Sequence, residues 1–252
     1  MTYSLTDAAA EFYESTFVPA LFGPWADRLA AVVSPGDRVL DVACGTGAVA
    51  RAAAQRSSEV VGVDRNEAML AVAQRLRPDL TWRTATAESL PFPDGVFDWA
   101  LSQAALMFFD DRAAALREMA RVAGRVALQV PGRLSHSPGY VALTDVVAHH
   151  AGPAARDLLS SYFAVGDPEY LRSLADKAGL RVDGFETWMS ATRLPDVQTF
   201  LDVELLPLAD EPAKPAIVAD ARVALAPFMD SAGAIAAPIE VHLLTARSAG
   251  AG

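Results

Sequence analysis

Between Arg38 and Val130 the chain carries five short apolar runs: Arg38 to Ala43, Glu59 to Asp64, Leu80 to Ala85, Val96 to Ser102 and Arg125 to Val130. Three of the intervals hold helical patterns, over Gly47 to Arg56, Asn66 to Leu76 and Asp111 to Val122. Short apolar strands separated by helix-length segments join as parallel crossovers rather than hairpins. Five of them within residues 38 to 130 predict an α/β fold with a doubly wound, mostly parallel sheet. Two later runs, near Leu180 to Met189 and Pro238 to Thr245, raise the expected sheet to seven strands.

The flanks read differently. Residues 1–36 predict an N-terminal helical cap, in which Phe12, Phe17, Leu21, Trp25 and Leu29 keep helical spacing while Pro19 and Gly23-Pro24 divide it into two or three short helices. Ser34-Pro35-Gly36-Asp37 makes a turn into the main domain, 37–252. After Pro131, Ser137 to His150 and Ala154 to Phe163 look helical and apolar, and the expected helical lid spans about 134–165. A helix over Pro168 to Ala178 leads back to the sheet. A substrate-side elaboration is expected over about 194–235, with helices near Val197 to Leu206 and Ala216 to Met229 around a Pro-broken acidic linker at Asp210 to Pro215.

Composition narrows the partners. With 52% hydrophobic residues, 252 residues can bury a sizeable core. The 21 Lys and Arg against 31 Asp and Glu leave a formal charge of −10, unsuited to neutralising phosphates, so no nucleic-acid partner is expected. No run is long and apolar enough for a membrane span, and MTYSLTDAAAEFYE lacks the basic and apolar regions of a secretory signal, so the expected compartment is the cytoplasm. One cysteine, Cys44, rules out an internal disulfide and offers no cluster for a structural metal.

In an open parallel sheet, ligands bind beyond the carboxyl ends of the strands where the winding reverses, which draws attention to Ala43-Cys44-Gly45-Thr46-Gly47 after the first strand. Gly45 and Gly47 lack a β-carbon, so backbone can approach a ligand and adopt positive φ, and the next helix offers free N–H groups. Asp64 follows Asp41 by 23 residues, a spacing that suits a carboxylate on ribose hydroxyls. Gly45-x-Gly47-x-x-Ala50 also fits a dinucleotide fingerprint. What separates the two readings is Asp41, four residues before Gly45, an acid that suits a ligand bearing an ammonium group.

Several motifs in order resemble the class I S-adenosylmethionine-dependent methyltransferases, in the small-molecule branch that includes ubiquinone and menaquinone biosynthesis methyltransferases. VLDVACGTG (39 to 47) is similar to their first motif, VVGVDRNEAML (60 to 70) to the ribose-binding one, and AESLPFPDGVFDWALSQAALMFFDD (87 to 111) to the segment from the adenine contact through the fourth strand. Pro168 to Phe185 and HLLTARS (242 to 248) extend the likeness more faintly. The resemblance implies a Rossmann-like fold and S-adenosylmethionine as cofactor. It implies Ala43, Gly45, Thr46 and Gly47, with Asp41, at the methionine part, Asp64 on the ribose, and Arg65 and Met69 at the adenine faces. Ala87 and Glu88 would meet the adenine edge, and Ser102 and Gln103 would border the methyl group. Two departures stand out: Thr86 where many relatives carry an acid, and Ala123-Gly124 in place of a Pro-Gly-Gly turn.

A sulfonium methyl is already electrophilic, so aligning the acceptor behind it and excluding water does most of the work, and a base is optional. His136, shortly after the fifth strand, and Tyr13, four residues from Phe17 on a helix that in similar methyltransferases folds over the cofactor, are the catalytic candidates. Each also reads as an ordinary loop or packing residue. Cys44 suits a small buried residue, His149 and His150 a helix end, His242 a structural strand position, and Asp110-Asp111 a helix cap on a solvated surface. The expected acceptor is a small, largely apolar molecule, motivated by Leu134, Tyr140, Leu143, Tyr162, Phe163, Phe200, Leu205 and Phe228, residues that suit a core equally well. Ser102-Gln103-Ala104-Ala105 stands where amino-methylating relatives carry an Asn/Asp-Pro-Pro-aromatic motif, and no Asp and Asn cluster suggests a metal-dependent transfer. Two rivals remain open: a nicotinamide-dependent oxidoreductase, and a methyltransferase-like fold that binds the cofactor without methyl transfer.

Overall fold

The computed structural model describes residues 6–204 and 214–248; Leu205, the expected helix end at Leu206 and the linker from Asp210 to residue 213 lie outside them. The chain divides into two compact units. The first takes the described parts of residues 1–130, 168–186 and 242–252, the second residues 131–167 and the described parts of 187–241.

The first unit begins with helix α1 (Asp7–Phe12), whose Thr6 cap accepts a hydrogen bond from the Ala9 N–H. Tyr13–Phe22 then winds as a π-helix and continues directly into α2 (Gly23–Ala30). The breaks expected at Pro19 and Gly23-Pro24 are therefore not gaps. The wider π register absorbs Pro19, which an α-helix interior tolerates poorly, and Pro24 falls in the first turn of α2, where its missing N–H is harmless.

From Arg38 onward the alternation read from the sequence becomes β1 (Arg38–Val42), α3 (Ala48–Ala53), β2 (Glu59–Asp64), α4 (Glu67–Leu76), β3 (Thr81–Thr84), β4 (Phe97–Gln103), α5 (Arg112–Val122) and β5 (Ala123–Pro131). Asn66 and Asp111 sit just outside their helices as caps, accepting from the N–H groups of Ala68 and Met69 and of Ala114. α6 (Pro138–Ser161) breaks at Gly152, and α7 (Pro168–Lys177), β6 (Leu180–Leu194), α8 (Val197–Glu204), α9 (Lys214–Leu225) and β7 (Ile235–Ser248) complete the described chain.

The seven strands lie in the order β3-β2-β1-β4-β5-β7-β6. β1 to β5 are parallel, and β1 is flanked by β2 on one side and β4 on the other. The winding reverses at β1 and β4, which places the ligand crevice expected of such sheets beyond their carboxyl ends. Val39, Leu40 and Val42, Ala100 and Leu101, and Val126, Ala127 and Leu128 are fully buried, as expected for strands covered on both faces.

In the second unit α6 packs on α9, and Tyr140 stacks edge-on against Phe163 and Phe200 at 5.3 and 5.6 Å. With Leu143, these side chains are buried, so four of the residues expected to line an acceptor cavity form a core instead. Phe228 is different. It borders an open cavity of about 620 Å³ together with Arg193, Leu194, Pro227, Met229 and Asp230.

One aromatic ring ties the edge of the sheet to the turn after β1. A β-carbon added at Gly47 or Gly62 would lie 2.4 Å from the Trp82 ring, and the indole N–H is anchored on the Arg77 carbonyl at 2.9 Å. Gly62→Ala is expected to lower unfolding stability by about 1–3 kcal/mol through overpacking. In a Trp82→Ala background the same change should cost about 1 kcal/mol less, because the ring clash is gone and only a 3.1 Å contact with Cys44 Sγ remains. Urea unfolding of the four proteins measures the coupling, and equal losses in both backgrounds would refute it.

Candidate cofactor site

The chain leaves β1 through a turn with φ of +57° at Ala43, +54° at Gly45 and +84° at Gly47. Glycine adopts this region freely, whereas Ala43 pays a steric cost of about 1–2 kcal/mol. The Cys44 N–H to Val63 carbonyl bond (2.9 Å) and the Gly47 N–H to Cys44 carbonyl bond (2.8 Å) hold the turn. No atom lies within 4 Å of where a Gly45 β-carbon would stand, so the backbone there is open to close approach. Cys44 is buried, and burial pushes its thiol well above the ordinary value, which leaves it no role as a nucleophile.

Two carboxylates frame the turn. Asp41 is 1% exposed and its Oδ2 accepts the Ala50 N–H at 2.8 Å, stapling β1 to α3. Burial raises its pKa from 3.8 to about 7; the Ala50 bond opposes the rise and the Asp64 charge adds to it. Asp64 accepts Gly45 N–H on Oδ2 and Asn66 N–H on Oδ1, both at 2.8 Å. Each oxygen keeps a further acceptor site. Burial raises the Asp64 pKa too, against the pull of those two N–H groups and of Arg65.

Tyr13 belongs with these acids. Its phenol is raised chiefly by burial and then by the charges of Asp64, Glu14 and Asp41. A phenol held this way keeps its proton at neutral pH, so it suits a hydrogen-bond donor and not a proton acceptor. Tyr13 also packs on the cluster of Ala10, Met69 and Val72, and this accounts for the burial of Met69. Arg65 is exposed, 3.6 Å from Asp110. Ala87 is buried, while Glu88 accepts the Asp110 and Asp111 N–H groups at 3.0 and 3.5 Å, closing its loop onto the start of α5.

The carboxyl end of β4 holds a polar group of another kind. Gln103 donates to the Phe22 carbonyl at 3.0 Å, but its Oε1 and the Oγ of Ser102 are buried without partners. Gln129 stands opposite Gln103 in the β4–β5 register, is fully buried, and has neither amide atom partnered. Thr46 Oγ1 is likewise buried and unpartnered.

The residues brought together are thus Asp41, Ala43, Gly45, Thr46, Gly47, Asp64 and Tyr13. Arg65 and Glu88 meet at Asp110, and Ser102 and Gln103 close β4. His136 lies in the second unit, half exposed on the turn Leu134–His136, with Nδ1 2.9 Å from Glu240 Oε2. Glu240 Oε1 in turn accepts the Arg133 N–H at 2.9 Å. Sequence reasoning missed Glu240, Gln129, Glu14 and Arg51. Only Gln129, an amide inside an otherwise apolar strand, carried a visible signal.

This sheet order and turn define the class I methyltransferase fold. The YcgJ protein of Bacillus subtilis shares it with a TM-score of 0.62 at 21% identity, over 90% of this chain and 97% of that one. Phosphoethanolamine N-methyltransferase 2 of Haemonchus contortus, solved with S-adenosylhomocysteine, shares it at 0.60 and 19% identity, over 98% of this chain and 58% of that one. Residues 40–125 match the family described as a methyltransferase domain. Demethylmenaquinone methyltransferase of Renibacterium salmoninarum is 38% identical over 110 residues, 44% of this chain and 46% of that protein. The match thus spans less than half the length of that curated relative.

The folded chain holds the Asp41 proton up to about pH 7, whereas an exposed aspartate releases it near 3.8. Stability linked to that proton is complete below 3.8 and is lost as pH rises through 7. Asp41→Asn keeps an oxygen for the Ala50 N–H and does not ionise. It should therefore gain stability relative to the unmodified protein between about pH 5 and about pH 8, by about 1 kcal/mol or more. Parallel pH curves in urea unfolding would refute the buried charge.

Proposed function

We propose that the protein transfers the methyl group of S-adenosylmethionine to a small, largely apolar acceptor in the cytoplasm. The observation that carries this reading is Asp64. It ends β2 beside a positive-φ turn, and its two oxygens, each already bonded to one backbone N–H, retain acceptor capacity for the two hydroxyls of a ribose. The open space at Gly45 and the buried, unpartnered atoms of Thr46, Ser102 and Gln103 fit a ligand that supplies polar partners as well as apolar surface. The methyltransferase-domain match over 40–125 supports the same choice.

When bound, the cofactor supplies an electrophilic methyl group on a sulfonium. This chain's residues then have the tasks of holding and orienting. Asp64 takes the ribose, Gly45 and Gly47 let the backbone approach, and Ser102 and Gln103 border the methyl group. Tyr13 contributes a phenolic donor, while Arg65, Met69, Ala87 and Glu88 form the proposed adenine surroundings. His136 is the proposed proton acceptor: with Nδ1–H directed to Glu240, its Nε2 is left as an acceptor. The charge of −10 supports an uncharged or cationic acceptor over a nucleic acid, and no helix among the described residues is long and apolar enough to cross a membrane.

Calorimetry with S-adenosylmethionine, S-adenosylhomocysteine and NADH tests the cofactor. The first two should bind, and Asp64→Ala should weaken them about 10- to 100-fold. Binding of NADH alone would favour the oxidoreductase. With a methyl-labelled donor, label should enter apolar phenols or quinols; label entering only polar acceptors would overturn the acceptor class, and cofactor binding with no labelled product would favour a binder without transfer.

A further inference from the structure

We propose that Glu14, on the N-terminal π-helix, receives the ammonium group of the cofactor's amino-acid end, with Arg51 as the residue that positions it. This rests on the reading of the glycine turn as an S-adenosylmethionine site.

The sequence pointed to Asp41 for that ammonium, and the structure makes Asp41 a poor partner. It is 1% exposed, its Oδ2 is committed to the Ala50 N–H, and burial disfavours its charged form. Glu14 has a cationic partner and a spare oxygen. Its Oε1 is held by Arg51 Nη2 at 2.7 Å. Its Oε2 is buried with no hydrogen-bond partner. A carboxylate oxygen removed from water without a donor is costly, and carboxylates bound for structure alone are normally satisfied on both oxygens.

The neighbouring atoms complete the pattern. Arg51 Nη1 donates to the Thr46 carbonyl at 2.5 Å, which ties Glu14 to the glycine turn through one guanidinium. Thr46 is 1% exposed, and its Oγ1 is buried without a partner. One connected group therefore holds a free anionic acceptor on Glu14, a free hydroxyl on Thr46 and the unused donors of a guanidinium. That is the complement of a zwitterion: ammonium to Glu14, carboxylate to Thr46 and Arg51. Glu14 and Asp64 both act on the Tyr13 phenol.

The test compares two ligands by calorimetry. S-adenosylhomocysteine carries the amino-acid end, and 5′-methylthioadenosine is the corresponding nucleoside thioether without it. Glu14→Gln should weaken S-adenosylhomocysteine about 10- to 100-fold, the loss expected for a charge-assisted hydrogen bond, and leave 5′-methylthioadenosine within about twofold. Glu14→Asp, which retains the charge, should recover part of the loss and guards against a variant that fails to fold. Equal weakening of both ligands would overturn the proposal in favour of a packing role for Glu14. No change in either would overturn it in favour of Asp41 or backbone carbonyls. Unmodified protein that binds neither ligand would overturn the cofactor reading itself, and with it this one.

Discussion

The bond from the Ala50 N–H to Asp41 Oδ2 is the constraint on which the rest of the first unit depends. It joins the central strand to the helix that follows, and the turn between them has to close in the few residues that separate Val42 from Ala48. Closure that tight demands positive φ three times, once at an alanine. The turn tolerates Ala43 because its neighbours leave no alternative: Cys44 is tied to β2 by its N–H, Gly47 is tied to Cys44, and the Trp82 ring occupies the space that side chains at positions 47 and 62 would need. Strain of this kind persists where the surroundings over-determine the backbone.

The same compactness sets the electrostatics. Asp41, Asp64 and Glu14 all act on Tyr13, with Arg51 the cation among them. Burial raises the Asp41 pKa to about 7 and that of Asp64 above its ordinary value, so part of this excess of acid is carried as bound protons, and the cost of ionising it falls when a cation enters. A sulfonium cofactor with an ammonium group brings positive charge, and its demethylated product brings less. On the proposed reading, such a site favours the methyl donor over its demethylated product through charge alone.

How much of this was legible follows from the kind of signal each residue carries. Strand and helix order from Arg38 to Val130 was readable because period and length report directly on burial. β2 was read as it stands, and Asn66 and Asp111 are caps at helix starts that the pattern located within a residue. Asp41 and Asp64 were legible as acids at a glycine turn, but the partner of Asp41 was not, since a hydrogen bond across nine residues leaves no mark in composition. Glu14 and Arg51 were invisible for the same reason: a charged residue on an amphipathic helix reads as a solvated face until the facing residue is known. Pro19 signalled a break because the sequence does not announce a π register. Glu240 lies 104 residues from His136, a pairing only the folded chain shows.

The acceptor side illustrates a further limit, one of ambiguity. Aromatic and aliphatic residues suit a cavity wall and a core equally well, and period cannot separate them. Tyr140, Leu143, Phe163 and Phe200 proved to be core of the second unit, whereas Phe228 borders its cavity. That unit is built from residues 131–167 and 187–241, two segments beyond the stretch that matches the methyltransferase domain at 40–125. The chain thus keeps the glycine turn in the part that matches the methyltransferase domain, and the second unit lies beyond that match. Function on a shared fold is set by such grafted segments.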